Sequence, residues 1–241
     1  MISVCIATYN GEQFIGRQIR SILCQLGEND EVIVSDGGST DNTVNVISTI
    51  EDKRIKLIYL NEEEQKNTSL VFSTMGNIRN NFQNALSVSK GDVIFLADQD
   101  DDWYSNKVER VCELLDSADC VVHDCVVMNN GNILFPSFLD YFKPGRTRLG
   151  MFVKSPFMGC CMAFNRSVLQ RALPFPAIHI EHDTWIGICA FKIGTVSVVN
   201  EVLMDYNRHG QNASPIAEKN KNSLYIKFLR RWYMLIAYIK F

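Results

Sequence analysis

Val93-Ile94-Phe95-Leu96-Ala97-Asp98-Gln99-Asp100-Asp101-Asp102-Trp103 runs from five apolar residues directly into four carboxylates within five positions. The apolar run follows the turn Lys90-Gly91-Asp92, so residues 93–97 read as a buried strand. Carboxylates crowded at a strand exit repel one another, and the cluster is costly unless a cation occupies it. Oxygen ligands on alternate residues suit Mg²⁺ or Mn²⁺ shared with phosphate oxygens. The plainer alternative is a solvated acidic turn capping the next helix, where Asp is favoured. An isolated Asp-x-Asp would favour that turn; the buried strand in front of this one shifts the reading to a cation site.

Toward the N-terminus, strand and helix alternate. Residues 2–8 form a short β-rich run bounded by Tyr9-Asn10-Gly11. Phe14, Ile15, Ile19, Ile22 and Leu23 recur at helical spacing and predict a helix ending near Gly27. Residues 32–34 and 55–60 read as the second and third strands. Between them Ser39-Thr40-Asp41 offers N-cap chemistry for a helix carrying Val44, Val46, Ile47 and Ile50. Residues 61–74, with Glu62, Glu63, Glu64 and Lys66, read as a solvated loop, and 76–89 as a helix.

This alternation predicts an α/β fold: a mostly parallel sheet with helices on both faces. Ligands of such sheets bind beyond the carboxyl ends of the strands. Thr8-Tyr9-Asn10, Asp36 and Asp98 are therefore expected to converge. The glycines of Ser35-Asp36-Gly37-Gly38-Ser39-Thr40-Asp41 let backbone approach a ligand closely, and Asp36 can accept from a base or ribose. Asp41 is better placed to stabilise the next helix.

Toward the C-terminus the pattern loosens. Residues 120–127, 133–135 and 195–199 read as strands, and 143–150 as a mobile loop. A helix carrying Trp185, Ile188, Cys189 and Phe191 follows His182-Asp183. On spacing alone Asp183 is an N-cap, His182 and His209 are polar loop residues, and Trp103 and Trp185 are packing residues or borders of a ligand face. The tail, 224–241, is helical in period, with Lys227, Arg230, Arg231 and Lys240 and no acid. Phe228, Trp232, Leu235, Ile236 and Ile239 fall near one face. Such a helix lies on an anionic membrane surface, or docks on its own domain or a partner.

The totals set bounds. With 241 residues, 46% apolar, the chain suits one α/β domain with an appendage or two small packed domains. A net charge of −3 excludes whole-molecule attraction to nucleic acid. The eight cysteines form no C-x-x-C pair and read as buried reduced thiols of a cytosolic protein. A strand beginning at Ile2 predicts no secretory leader, and no apolar run reaches bilayer length. The Asn-x-Ser/Thr triplets at Asn67, Asn165 and Asn212 then read as chance matches.

Ile6-Ala7-Thr8-Tyr9-Asn10-Gly11, Val34-Ser35-Asp36-Gly37-Gly38-Ser39-Thr40-Asp41 and Ala97-Asp98-Gln99-Asp100-Asp101 together resemble the inverting family-2 glycosyltransferases of GT-A fold. Asp98-Gln99-Asp100-Asp101-x-Trp103, Asn106-Lys107, His182-Asp183-Thr184-Trp185 and Tyr206-Asn207-Arg208-His209-Gly210-Gln211-Asn212 look like the bacterial rhamnosyltransferase-like subgroup. Asp102 stands where that family usually carries an apolar residue. The chain is also shorter than many relatives after the last motif.

The resemblance implies a Rossmann-like nucleotide-binding sheet with a C-terminal acceptor-side region and a terminal helix. It divides the chain into a nucleotide-sugar half, 1–103, an acceptor and catalytic-base half, 104–222, and a basic amphipathic helix, 223–241. Thr8, Tyr9 and Asn10 match the segment that contacts the nucleoside, and Asp36 the acid that reads the base. Asp98 matches the first acid of the metal motif, near ribose and metal, and Asp100 the metal-coordinating one. Asp183 matches the general base; His209 matches a histidine near metal or diphosphate, with Arg208 beside it.

The implied cofactor is Mn²⁺ or Mg²⁺, the donor a UDP- or dTDP-sugar, and the acceptor a glycan or lipid-linked oligosaccharide of cell-surface polysaccharide synthesis. The implied place is cytoplasmic, peripheral on the inner face of the membrane. A sugar nucleotidyltransferase would begin with a Gly-rich loop ending in Arg and Lys, which residues 7–11 lack. The remaining alternative is a catalytically inactive nucleotide-sugar-binding or scaffold subunit.

Overall fold

The computed structural model describes residues 1–61, 73–209 and 224–240. Three sequence readings therefore lie outside the described residues: most of the 61–74 loop with Asn67, the Gly210-Gln211-Asn212 end of the last motif, and Phe241. The first half alternates as expected: β1 (Ile2–Thr8), α1 (Ile15–Leu23), β2 (Glu31–Asp36), α2 (Thr43–Ser48), β3 (Ile55–Tyr59), α3 (Ser73–Val88) and β4 (Val93–Ala97). β1, β2 and β4 are buried over most of their length because helices cover both faces. Asn42, rather than Ser39 or Thr40, occupies the N-cap of α2, while Asp41 accepts from the Thr43 N–H at 3.0 Å.

The second half adds β5 (Asp102–Trp103), α4 (Lys107–Leu115), β6 (Cys120–Asn129), β7 (Asn132–Phe135), α5 (Phe138–Phe142), α6 (Arg148–Val153), a 3₁₀ turn (Gly159–Cys161), β8 (Met162–Asn165), α7 (Arg166–Ala172), α8 (His182–Ile193), β9 (Val196–Arg208) and α9 (Leu224–Lys240). Two expectations are corrected. The segment expected to be a loop over 143–150 contains the start of α6, whose N-cap Thr147 accepts from the Gly150 N–H. The last strand extends well past residue 199, because β9 pairs in parallel along nearly all of β6.

One sheet runs in the order β3-β2-β1-β4-β8-β6-β9-β5, with β7 on β6. β1, β2, β3 and β4 are parallel, as are β6 and β9, whereas β8 runs antiparallel to both β4 and β6. This inversion matters for the site. It brings the start of β8 to the same sheet edge as the ends of β1, β2, β4 and β9. Residues at 159–161 and 209 therefore join Thr8, Asp36 and Asp98 there.

Gly91 sets how closely β4 approaches β1. A Cβ there would stand 2.5 Å from the Ser3 backbone nitrogen and 2.8 Å from the Ile2 carbonyl carbon. Backbone cannot swing aside, so Gly91→Ala is expected to destabilise the fold by about 3 kcal/mol. Urea unfolding checks this; a midpoint equal to the parent's would refute it.

Candidate active site

The turns after β1, β2 and β4 converge. Gln99, in the middle of the acidic motif, accepts from the Thr8 hydroxyl at 2.6 Å and the Tyr9 N–H at 2.9 Å, and its amide donates to the Tyr9 carbonyl at 3.2 Å. The Gly37 N–H donates to the Thr8 carbonyl at 2.9 Å, and Asn10 Oδ1 accepts from the Thr40 N–H at 2.8 Å. Asn10 adopts φ of 49°, a left-handed conformation that Asn tolerates better than most residues. Asp36 is buried and turned onto its own loop: its carboxylate accepts from the Gly38 and Ser39 N–H groups and the Ser39 hydroxyl. A carboxylate has about four acceptor sites, so about one remains for a ligand.

Removing the Gln99 amide frees the Thr8-Tyr9 turn. Three hydrogen bonds at about 1 kcal/mol each, partly replaced by water, predict that Gln99→Ala weakens nucleotide binding about tenfold. Titration of nucleoside diphosphate against both proteins checks it; equal affinities would reject the pinning role.

The four carboxylates have separate surroundings. Asp100 Oδ2 lies 2.8 Å from His209 Nε2, and the imidazole stacks on Phe14 with ring centroids 4.2 Å apart. Asp102 meets Arg17 Nε at 2.8 Å and accepts from Asn207 Nδ2 at 3.3 Å, which supplies the partner its unusual charge requires. Asp101 is fully buried; Oδ1 accepts from the Asn207 N–H at 3.3 Å, while Oδ2 has no hydrogen-bond partner among the described residues. Oxygens of Asp98 and Asp101 lie within 4.8 Å of each other and of the Cys160 sulfur.

Lys107 anchors this cluster from below. Its buried Nζ donates to the Cys160 carbonyl at 2.9 Å and sits 3.8 Å from the Trp103 ring centroid. Burial lowers its pKa to about 8, with the nearby thiols and Asp101 working the other way. Trp103 and Trp185 are both packing residues; the Trp185 indole N–H donates to the Ala172 carbonyl at 2.8 Å.

Asp183 lies in the first turn of α8, where Glu181, not Asp183, occupies the N-cap. The Gly159 backbone also hydrogen-bonds its carboxylate, and a Cβ on Gly159 would stand 2.9 Å from His182 Nε2. His182 is a helix residue stacked on Phe82 at 4.2 Å, not the loop residue expected from sequence, whereas His209 lies just past the end of β9, outside helix and strand as expected.

Burial raises the Asp183 pKa to about 6, against hydrogen bonds from Thr184 and Gly159 that lower it. Burial, then Asp100 and Asp183, raises Asp98 to about 7. Asp183 thus stands near enough to Asp98 for their charges to interact.

Asp98, Asp100, Asp183 and His209 are brought to one sheet edge, with Arg208 ending β9 beside them. Sequence reading missed Arg17, Asn207, Phe14 and Cys160 as members of the site. Arg17 on the exposed face of an amphipathic helix carried no distinguishing signal. Asn207 stood within a quoted motif but had no assigned part, and Cys160 was read only as one of the buried thiols.

Among the described residues no helix is long and apolar enough to cross a membrane. The family model "Glycosyl transferase family 2" matches residues 3–173. Over 202 residues the chain is 27% identical to the UDP-Glc:alpha-D-GlcNAc-diphosphoundecaprenol beta-1,3-glucosyltransferase WfgD of Escherichia coli, covering 83% of this chain and 73% of that protein. It is 29% identical over 147 residues to the dTDP-rhamnosyl transferase RfbG of Shigella flexneri, covering 60% of this chain and 44% of RfbG.

The fold matches the mannosyltransferase PcManGT of Pyrobaculum calidifontis, solved with GDP-Man and Mn²⁺. The TM-score is 0.62 at 20% identity, with 88% of this chain and 58% of that chain covered. The architecture is thus that of GT-A enzymes, while the chain spans only part of the length of each of these proteins.

Proposed function

The chain belongs to glycosyl transferase family 2, and from that membership we propose that it moves one sugar, with inversion, from a nucleoside-diphosphate sugar to a hydroxyl of a glycan or lipid-linked acceptor. The observation that carries this reading is the 2.8 Å contact between Asp100 and His209, which joins motifs 109 residues apart at the sheet edge where such ligands bind. We assign the donor to 1–103, the base and acceptor to 104–222, and membrane-surface contact on the cytoplasmic side to the terminal helix.

The residues present fit a divalent cation. Four carboxylates share one strand exit, and Asp101 keeps a buried oxygen without a hydrogen-bond partner among the described residues. Asp100 and His209, with Asp98, would hold Mn²⁺ or Mg²⁺, which when bound supplies positive charge against the leaving diphosphate. Thr8, Tyr9 and Asn10 contact the nucleoside on a turn that Gln99 holds in place. Asp36 fixes the neighbouring loop and offers its remaining acceptor site to the base or ribose.

Arg208 adds charge beside the diphosphate. Asp183 accepts the proton of the attacking hydroxyl. A single displacement needs one base and no protein nucleophile, in keeping with a site built of carboxylates, an imidazole and arginines.

The test is a panel of nucleoside-diphosphate sugars, read by released nucleoside diphosphate with Mn²⁺, with Mg²⁺ and with chelator. One donor turned over with metal and silent in chelator is the expected result. Full activity in chelator would remove the cation assignment. Binding without turnover of any donor, hydrolysis or transfer alike, would remove the catalytic one.

A further inference from the structure

The terminal helix α9 is amphipathic, but its exposed face is not isolated. Met234 and Ala237 are buried, and the helix packs on α8 and α6. Arg231 donates to the Val153 carbonyl at 3.1 Å, and Tyr238 meets Phe152 edge-on at 5.4 Å. These contacts lay α6 along the flank of α9, between its buried and exposed faces. On the exposed face stand Phe228, Trp232, Leu235 and Ile239, spaced by three or four residues, from 40% to 70% exposed. On α6, one turn apart, Leu149 is 82% and Val153 71% exposed.

The stretches that carry this apolar surface are basic. Residues 143–154 contain Lys143, Arg146, Arg148 and Lys154, and 224–240 contain Lys227, Arg230, Arg231 and Lys240. Neither stretch contains an acid, in a chain of net charge −3. Of the described side chains in the two stretches, only Arg230 is ion-paired, to Glu181 at 3.4 Å. Stretches rich in bases that carry exposed aromatics and aliphatics match an anionic interface with an apolar interior.

We propose that α6 and α9 form one two-helix surface that seats the protein on an anionic lipid bilayer, with Leu149 and Val153 inserting beside Phe228, Trp232 and Ile239. Two helices fixed to each other bind as a rigid face, so α6 contributes at no added ordering cost. Arg230 ties α9 to Glu181, two residues before Asp183, so the docking face adjoins the start of α8. A lipid-borne hydroxyl would then arrive on the Asp183 side. The surface itself stands on exposure and charge, whether or not the chain is a transferase.

Trp232 is the built-in reporter, because Trp103 and Trp185 are buried. Full-length protein is titrated with phosphatidylcholine vesicles and with vesicles containing about a third phosphatidylglycerol, following tryptophan emission and co-sedimentation. A blue shift and sedimentation with the anionic vesicles alone, reversed by high salt, are expected. Leu149→Glu/Val153→Glu and Phe228→Glu/Ile239→Glu should each weaken that binding about tenfold or more, with melting unchanged because all four positions are exposed.

Parent-like binding by the Leu149→Glu/Val153→Glu protein overturns the two-helix surface. Failure of the parent to prefer anionic vesicles overturns the membrane assignment. So does a tryptophan shift that follows protein concentration alone, since that marks a second copy on this face.

Discussion

Asp183→Asn is expected to lower turnover by about 10²–10⁴-fold while leaving nucleotide affinity near the parent's. The amide has the carboxylate's shape, so the first turn of α8 keeps its geometry. What it loses is the capacity to take a proton. Burial holds the Asp183 carboxyl at about 6, which makes it a stronger base at neutral pH than an ordinary aspartate. The same shift predicts that parental turnover rises with pH through about 6 and then levels. Steady-state rates across pH, with donor affinity measured separately, check both statements. Unchanged turnover in the variant would reject the base assignment.

The second large effect is that of the cation. Chelation, or Asp100→Asn, is expected to cut turnover by at least about 10²-fold, since several kcal/mol of charge stabilisation on the leaving group disappears. The pH dependence of cation binding follows from the site's own electrostatics. Without a cation, burial and the neighbouring carboxylates hold Asp98 protonated up to about 7. A cation must displace that proton, so Mn²⁺ affinity should rise about tenfold per pH unit up to about 7 and then flatten.

Stability runs the opposite way. The folded, cation-free protein holds this proton up to about 7, whereas the unfolded chain releases it near 3.9. Between these values the folded state carries more protons, so the stability of the cation-free protein falls as pH rises through the window. Mn²⁺, whose affinity rises with pH up to about 7, should offset that decline. Melting temperatures with and without Mn²⁺ between pH 5 and 8, chosen about the window, measure it. A cation-free protein that melts highest at pH 8 would contradict the raised carboxyl.

Exposed and buried members of the motif illustrate what a linear reading can reach. Asp98, Gln99, Asp100, Asp101 and Asp102 are consecutive, and their placement after a buried strand is a local fact. So is the alternation from β1 to β4, because strand and helix periods are read within a dozen residues. The convergence of Thr8, Asp36 and Asp98 followed from that alternation and the rule for strand ends. The hydrogen bonds of Thr8 to Gln99 and Gly37, and of Asn10 to Thr40, agree with it.

The later half was less legible for a physical reason. β8 runs against its neighbours and β9 follows β6 in parallel across a long connection, so neither strand is announced by its immediate surroundings. α6 begins within residues whose Gly, Pro and Arg content reads as a loop. Its helical state is held by the Thr147 cap and by packing against α9.

The acidic stretch itself marks the division. The sequence alone determined that four carboxylates leave one strand together, that repulsion among them calls for positive charge, and that the motifs around them are those of a glycosyltransferase family. Only the tertiary structure decided how that charge is shared. Asp102 goes to Arg17, Asp101 is sealed beside Asn207 and Lys107, Asp100 faces His209, and Asp98 interacts with the charge of Asp183. The first three partnerships join residues 85 to 109 positions apart or depend on burial. A side chain's protonation and partner are set by the dielectric and charges within a few ångströms, and those neighbours are assembled by the sheet, not by the order of the chain.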